Sequence, residues 1–360
     1  MNSNVAVLGA GAWGTAIAKV IAENNNTVVM CCRKQDQAEQ INTNHTNSKY
    51  LPQVTLPKNI SASTNVFDTV NGKDFLILAT PSLYLIDAVK SILDVPSIQN
   101  GKTMIGIITK GFLQSTKAVS VQQSDCEVKL ITDVLSEILP PSYARSLVYI
   151  CGPSHAQEVA AGKITGLISA CRRPSLAVRF KYLLKSKHLL VFSSLDVKGV
   201  QTAAAVKNVV AIAFGILDAL KNRNTEMFGD NSESLLLAAG LNEIQKIGMA
   251  LGATHPETFT SIAGVGDLDV TCRSVYGRNR RLGREIIEKN ILDQFSNIDD
   301  IITNIDKIPY TPEGAVAAKY VKILQQHFSL RMPICNLVYR VLNKEEDSES
   351  ALNHYMNSLL

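Results

Sequence analysis

The run AAAVKNVVAIAFGILDAL, residues 203–220, sets Lys207 and Asn208 inside an otherwise almost wholly apolar segment. Beyond them only Asp218 is charged, so no broad face of the run can lie against water. An unpaired buried ammonium costs several kcal/mol or gives up its proton. An amine kept in such a place suits proton transfer, because burial draws its pKa toward neutrality. A second stretch, GVGDLDVTCRSVYGRNRRLGRE (264–285), gathers glycines, Asp267, Asp269, Thr271 and a group of arginines. Arg278 and Asn279 directly follow Gly277; a planar guanidinium grips phosphate bidentately and the amide adds a neutral donor. Arg280, Arg281 and Arg284 read as a solvated face.

The N-terminal VLGAGAWGTA supplies a different chemistry. Gly9, Gly11 and Gly14 follow a strand and open a helix. The first allows a tight turn, the second lets backbone approach a pyrophosphate, and the third lets helix and strand pack closely. The helix start then offers N–H groups and the positive dipole end to phosphates. A dinucleotide site built for NAD alone should close its second strand with an acid on the ribose. Here that strand ends MCCRK, where Arg33 and Lys34 suit a 2′-phosphate or stacking on adenine, so NAD and NADP both stay open. Other strand ends carry Pro81 and Ser82, Lys110 in IITKG, and Gly152-Pro153-Ser154. Ser154 with Gln157 also has the spacing of a capping box.

These residues need a scaffold. VAVLGAG (5–11), TVVMCC (27–32), FLILAT (75–80), MIGIIT (104–109), LVYIC (147–151), GLISAC (166–171) and LLVFSS (189–194) read as buried strands, with helical segments such as 14–24 and 82–94 between several of them. Their continuous hydrophobicity predicts a parallel sheet covered on both faces, hence an α/β Rossmann-type doubly wound domain. After Asp196, a candidate N-cap, only helix patterns follow, broken near 222–234, 252–257 and 293–310. The expected division is a dinucleotide-binding domain over 1–195 and an all-α C-terminal substrate and catalytic domain over 196–360. The tail KEEDSES (344–350) reads as solvated.

Composition bounds the partners. An apolar share of 46% with 19% charged excludes wholesale disorder, and a net charge of +4 is too slight to argue for nucleic acid. Seven cysteines form no C-x-x-C pair, which suits reduced, mostly buried thiols, with neither a zinc site nor a disulfide framework. The N-terminus has no basic n-region or cleavage site. Apolar stretches are interrupted before the roughly 18 residues of a membrane span. A cytoplasmic protein with no bound metal is the expectation.

GAGAWG, TKG, GPSHAQEVAAG, AVKNVVAIAFG, AGVGDLDVTC, GRNRRLG and PEG followed by MPI occur in this order. Together they resemble the NAD(P)-dependent glycerol-3-phosphate dehydrogenases of the soluble bacterial type, over about residues 4–343. That resemblance implies a Rossmann domain, a helical domain and an active site between them. It implies reversible reduction of dihydroxyacetone phosphate to sn-glycerol 3-phosphate, supplying glycerophospholipid synthesis, and a homodimer. The proton-transferring lysine falls on Lys207, with Asn208 orienting substrate or nicotinamide. Lys110, Gly152, Ser154, Asp267, Thr271, Gly277, Arg278 and Asn279 fall at substrate positions. Besides the three glycines, Ala12, Trp13, Arg33, Tyr50, Lys110, Ala156, Arg278, Thr311 and Glu313 fall at cofactor positions. Gly277 stands where the family usually has Ser, Ser154 where Thr is common, and YTPEGAVAA replaces the usual VVEG segment. Two stretches, 222–233 and 290–310, are longer than in relatives.

In this reading Lys207 is the general acid for reduction and general base for oxidation. Lys110 polarises the carbonyl and pushes the Lys207 pKa down, while Asp267 favours the charged form and holds it in position. Two readings compete: another two-domain Rossmann dehydrogenase of the 6-phosphogluconate or β-hydroxyacid type, and a non-catalytic dinucleotide-binding protein.

Overall fold

The computed structural model describes residues 2–116, 126–223 and 227–357; positions 224–226 of the longer 222–233 stretch lie outside the described residues. The chain divides into two compact units, Met1–Ala118 with Lys129–Val197, and Val119–Val128 with Lys198–Leu360.

The first unit is organised on an eight-stranded sheet. In chain order the strands are β1 (Asn4–Leu8), β2 (Thr27–Cys31), β3 (Ile60–Ser63), β4 (Phe75–Leu78), β5 (Met104–Ile107), β6 (Val148–Cys151), β7 (Thr165–Ala170) and β8 (Leu189–Ser194). Their spatial order is β8-β7-β6-β5-β4-β1-β2-β3. The order reverses beside β1, the switch point at which doubly wound sheets bind ligands. Strands β1, β4 and β6 are apolar almost throughout and buried on both faces, which is why their sequences run continuously apolar. Helix α1 (Ala12–Glu23) lays Ile17 and Ile21 into a core shared with Val5, Val7 and Ile77.

The sheet departs from the wholly parallel expectation at one place: β6 and β7 pair antiparallel. The connection over 152–164 holds only the one-turn helix α2 (Ala156–Ala160), too little for a full crossover, so the chain folds straight back. Strand β3 gave no signal, because ISAS is short and half polar; it sits at the sheet edge with only Ile60 and Ala62 buried. Helix α3 (Pro174–Leu184) returns the chain to β8, which runs parallel to β7.

The second unit is helical, with no strand among its described residues from 198 on. It comprises α4 (Val197–Arg223), α5 (Asp230–Ala250), α6 (Asp267–Arg273), α7 (Arg278–Glu288), α8 (Glu313–His327), α9 (Pro333–Leu342) and α10 (Ser348–Asn357), with shorter turns between. Helix α4 is long and apolar enough to cross a membrane by length and composition, contrary to the reading from interrupted runs, yet 94% of its apolar window is buried within the protein. The 344–350 tail is not merely solvated. Glu346 pairs with Arg340 at 3.0 Å and also with His354, and α10 buries Ala351, Leu352 and Tyr355. All seven cysteines are free and all but Cys126 are buried. Burial pushes the Cys32 and Cys272 thiols up to about 12, which makes them poor nucleophiles.

Candidate functional site

In the first unit the glycine turn joins β1 to α1. Gly9 has φ +117°, and a Cβ there would lie 2.8 Å from the Ala79 carbonyl carbon. A Cβ on Gly14 would fall 2.0 Å from the Gly9 carbonyl oxygen, so both positions require glycine for packing. Gly11 differs: it has nothing within 4 Å of where a Cβ would be. It is the N-cap of α1, and no side chain claims the amides of the first turn. Ala12 and Trp13 begin that helix, half-buried. Beside the turn, the Thr80 hydroxyl is buried without a hydrogen-bond partner among the described residues. Open space over Gly11, uncapped amides and an orphaned hydroxyl fit a dinucleotide pyrophosphate.

Two supporting residues escaped the sequence reading. Asn47 Nδ2 donates to the Ala10 carbonyl at 3.0 Å and to Thr15 Oγ1 at 2.7 Å, and Gln37 Nε2 donates to the same carbonyl at 2.7 Å. They hold the turn open from behind, and nothing in their spacing announced it. Tyr84 was also missed. The Arg33 guanidinium lies 5.8 Å from its ring centre, so Arg33 is drawn toward an exposed aromatic. Tyr50 is exposed, with the Lys49 ammonium 5.4 Å from its own ring centre.

Further along the strand ends, Lys110 Nζ reaches the Gly152 carbonyl oxygen at 3.5 Å. Gly111 and Gly152 have φ +136° and +155°, and a Cβ on Gly152 would fall 2.4 Å from the Gly166 carbonyl. The expected Ser154–Gln157 capping box is not formed. His155 is the N-cap of α2, which begins at Ala156, and the Ser154 hydroxyl turns back to the Gly152 carbonyl at 2.9 Å.

In the second unit Lys207 is 4% exposed and Asp267 1% exposed. The ammonium forms an ion pair with Asp267 Oδ1 and donates to Thr271 Oγ1 at 2.8 Å. Asp267 and Thr271 are four apart on α6, so both project from one face toward the same nitrogen. The Thr271 hydroxyl in turn donates to the Asp267 carbonyl at 2.5 Å, which leaves its lone pair toward the lysine. A π-helical turn, Ile262–Gly266, delivers the chain to Asp267. Its Gly264 is forced, since a Cβ would meet the Phe259 carbonyl oxygen at 2.0 Å.

The neighbour on α4 belongs to a second set. Asn279 Nδ2 donates to Asn208 Oδ1 at 3.0 Å, and Asn279 Oδ1 accepts from the Gly314 amide at 2.9 Å. Asn279 is therefore a buried bridge between α4, α7 and the start of α8, with much of its amide already committed. Arg278, the first residue of α7, is exposed. Gly277 is the N-cap, and a Cβ there would lie 2.9 Å from the Thr271 carbonyl, which accounts for glycine in this chain. Thr311 and Glu313 are half-buried at the start of α8.

The other arginines of this stretch are not a plain solvated face. Arg280 bonds Asp218 at 2.7 Å and the Arg273 carbonyl at 2.9 Å. Arg281 and Lys289 both bond Glu285, whose other oxygen accepts from the Tyr310 hydroxyl at 2.5 Å. Burial raises the Glu285 pKa, but these donors outweigh it and hold the carboxyl below its ordinary value. Tyr310, in the segment that departs from the family pattern, thus fixes the loop before Thr311 to α7.

Residues 4–177 match the N-terminal part of the NAD-dependent glycerol-3-phosphate dehydrogenase family, and residues 196–353 match its C-terminal part. The chain is 53% identical to glycerol-3-phosphate dehydrogenase [NAD(P)+] of Treponema denticola, over 96% of each chain. It is 35% identical to the enzyme of that name from Enterococcus faecalis, over 99% of this chain and 96% of the other. Among solved structures, glycerol-3-phosphate dehydrogenase of Coxiella burnetii superposes with a TM-score of 0.82 at 27% identity, covering 99% of both chains.

Proposed function

The chain belongs to the NAD-dependent glycerol-3-phosphate dehydrogenase family, and on that premise we propose that it reversibly reduces dihydroxyacetone phosphate to sn-glycerol 3-phosphate. The observation that carries this reading is the buried Lys207 ammonium, held by Asp267 and Thr271 inside an otherwise largely apolar helix.

The glycine turn, with Ala12, Trp13 and the first amides of α1, would hold the dinucleotide; when bound, NAD(P)H supplies the hydride. Reduction of a ketone builds negative charge on its oxygen, and a proton must be delivered there. Lys207 gives that proton in reduction and takes it back in oxidation. Asp267 keeps the ammonium paired while it is buried, and Thr271 fixes its direction. Asn208, bonded to Asn279, is a fixed polar group one residue away for orienting the substrate. Arg278 grips the phosphate, whose binding energy aligns the reacting carbonyl. Lys110, assigned to the same substrate from its motif, polarises the carbonyl. Delivery of the product to glycerophospholipid synthesis, and a homodimer in the cytoplasm, belong to the same proposal.

Steady-state oxidation of NADH and of NADPH with dihydroxyacetone phosphate, against 3-hydroxyacids and 6-phosphogluconate run in the oxidative direction, tests the reaction. Turnover confined to the first substrate is expected; turnover only with a hydroxyacid or with 6-phosphogluconate rejects it. Arg278→Ala should erase most of the preference for dihydroxyacetone phosphate over dihydroxyacetone. An unchanged ratio would place the phosphate elsewhere.

A further inference from the structure

We propose that the free β8 edge of the sheet docks on an anionic phospholipid bilayer surface. From Val159 to Leu195 the sequence contains seven lysines and arginines and no aspartate or glutamate, in a chain whose net charge is only +4. This segment folds into β7, α3 and β8, the last strand of the sheet. Helix α3 covers one face of β8, where Leu189 and Val191 join the core with Phe180 and Leu184. Side chains alternate along a strand, so Leu190 and Phe192 point the other way, and they are 48% and 51% exposed.

At the end where both strands begin, the Thr165 amide donates to the His188 carbonyl at 2.9 Å. That bond sets Ile164, 79% exposed, beside the turn that carries Lys185 and Lys187. Tyr182, 61% exposed, lies in the last turn of α3 with the Lys185 ammonium 4.4 Å from its ring centre. Two carboxylates of neighbouring elements are already engaged: Glu158 with Lys163 at 3.2 Å, and Glu23, at the end of α1, with Lys19. Asn24, next to Glu23, donates to the Leu183 and Lys185 carbonyls and so brings that helix end against α3. Lys181, Lys185 and Lys187 make no carboxylate pair among the described residues.

Single exposed apolar side chains are ordinary on a protein surface. Ile164 and Tyr182 beside Lys185 and Lys187 give this end of the edge the composition of an interfacial surface, where the cations meet lipid phosphates and the apolar groups enter the headgroup boundary. A second copy of the chain is a poorer occupant, because a two-fold contact would set this cationic patch against itself. Nucleic acid is a poorer occupant for a chain whose net charge is only +4.

Cosedimentation of the full chain with vesicles tests the proposal. Binding to vesicles of phosphatidylcholine mixed with phosphatidylglycerol, weakened by salt, and none to phosphatidylcholine alone, is expected. Each lysine near such a surface contributes about fivefold. The triple variant Lys181→Gln, Lys185→Gln, Lys187→Gln should therefore bind roughly 100-fold more weakly, and Ile164→Ser with Tyr182→Ser should weaken binding at every salt concentration. Both variants should keep wild-type turnover of soluble substrate, which reports an intact fold. Equal binding to both vesicle types, or variants that bind as wild type does, overturns the proposal. So does a duplex oligonucleotide that displaces the vesicles, or a lysine variant whose altered property is subunit association in sedimentation velocity.

Discussion

Lys207 and Asp267 are both buried and each is the other's counter-charge. Removing one partner of such a pair costs about 3–5 kcal/mol, because the remaining charge is left in a poor solvent. Removing both with groups of similar shape costs far less. A structural pair and a catalytic one therefore separate cleanly. Lys207→Met should destabilise the protein by about that amount, and Lys207→Met with Asp267→Asn should regain most of it. Turnover should stay lost in both. Thermal or denaturant unfolding beside kcat checks this; recovery of activity together with stability in the double variant would make the pair purely structural. The lysine was legible in the sequence because a charge isolated in an apolar run stands out, and because the motifs around it weigh against a lysine that merely snorkels or pairs structurally. The bridging role of Asn279 was not, because an asparagine's neighbours on α4 and α8 depend on how three helices pack.

Helices α4 and α7 approach to backbone contact through glycines. A Cβ on Gly283 would fall 2.1 Å from the Ile212 carbonyl oxygen, and one on Gly215 would fall 2.0 Å from the Arg280 carbonyl oxygen. Asn279 can reach Asn208 only because those helices lie so close. Gly11, by contrast, has φ −77° and open space. Gly283→Ala should lower stability by about 1–3 kcal/mol, the usual cost of overpacking, and reduce kcat as the Asn208 bond is lost. Gly11→Ala should leave stability within about 0.5 kcal/mol while raising the KM for the dinucleotide at least tenfold. Unfolding midpoints and cofactor titrations distinguish the two; a destabilised Gly11→Ala protein that still binds dinucleotide normally would contradict the assignment of the turn. At this scale the apolar strands were plain in the sequence, since burial on both faces leaves no polar interruption. The antiparallel return from β6 to β7 was hidden, because strand direction depends on the length and path of the connection rather than on the strand's own residues.

For the whole molecule, ligand binding and folding are one equilibrium. A dinucleotide that binds only the folded chain stabilises it by about 2.7 kcal/mol at 100 times its Kd. The second strand ends without an acid to select the unphosphorylated ribose, and Arg33 stands there instead. NADPH should raise Tm at least as much as NADH at equal concentration, and Arg33→Ala should cut the NADPH shift more than the NADH shift. Equal losses would remove Arg33 from any contact with the 2′-phosphate. The central claim, that the buried Lys207 ammonium is the proton donor, is tested most directly by single-turnover reduction of dihydroxyacetone phosphate in Lys207→Met protein with NAD(P)H at saturation. A rate at least ~10²-fold below wild type, with the dinucleotide Kd unchanged, is the predicted result. A rate within a few-fold of wild type would contradict it.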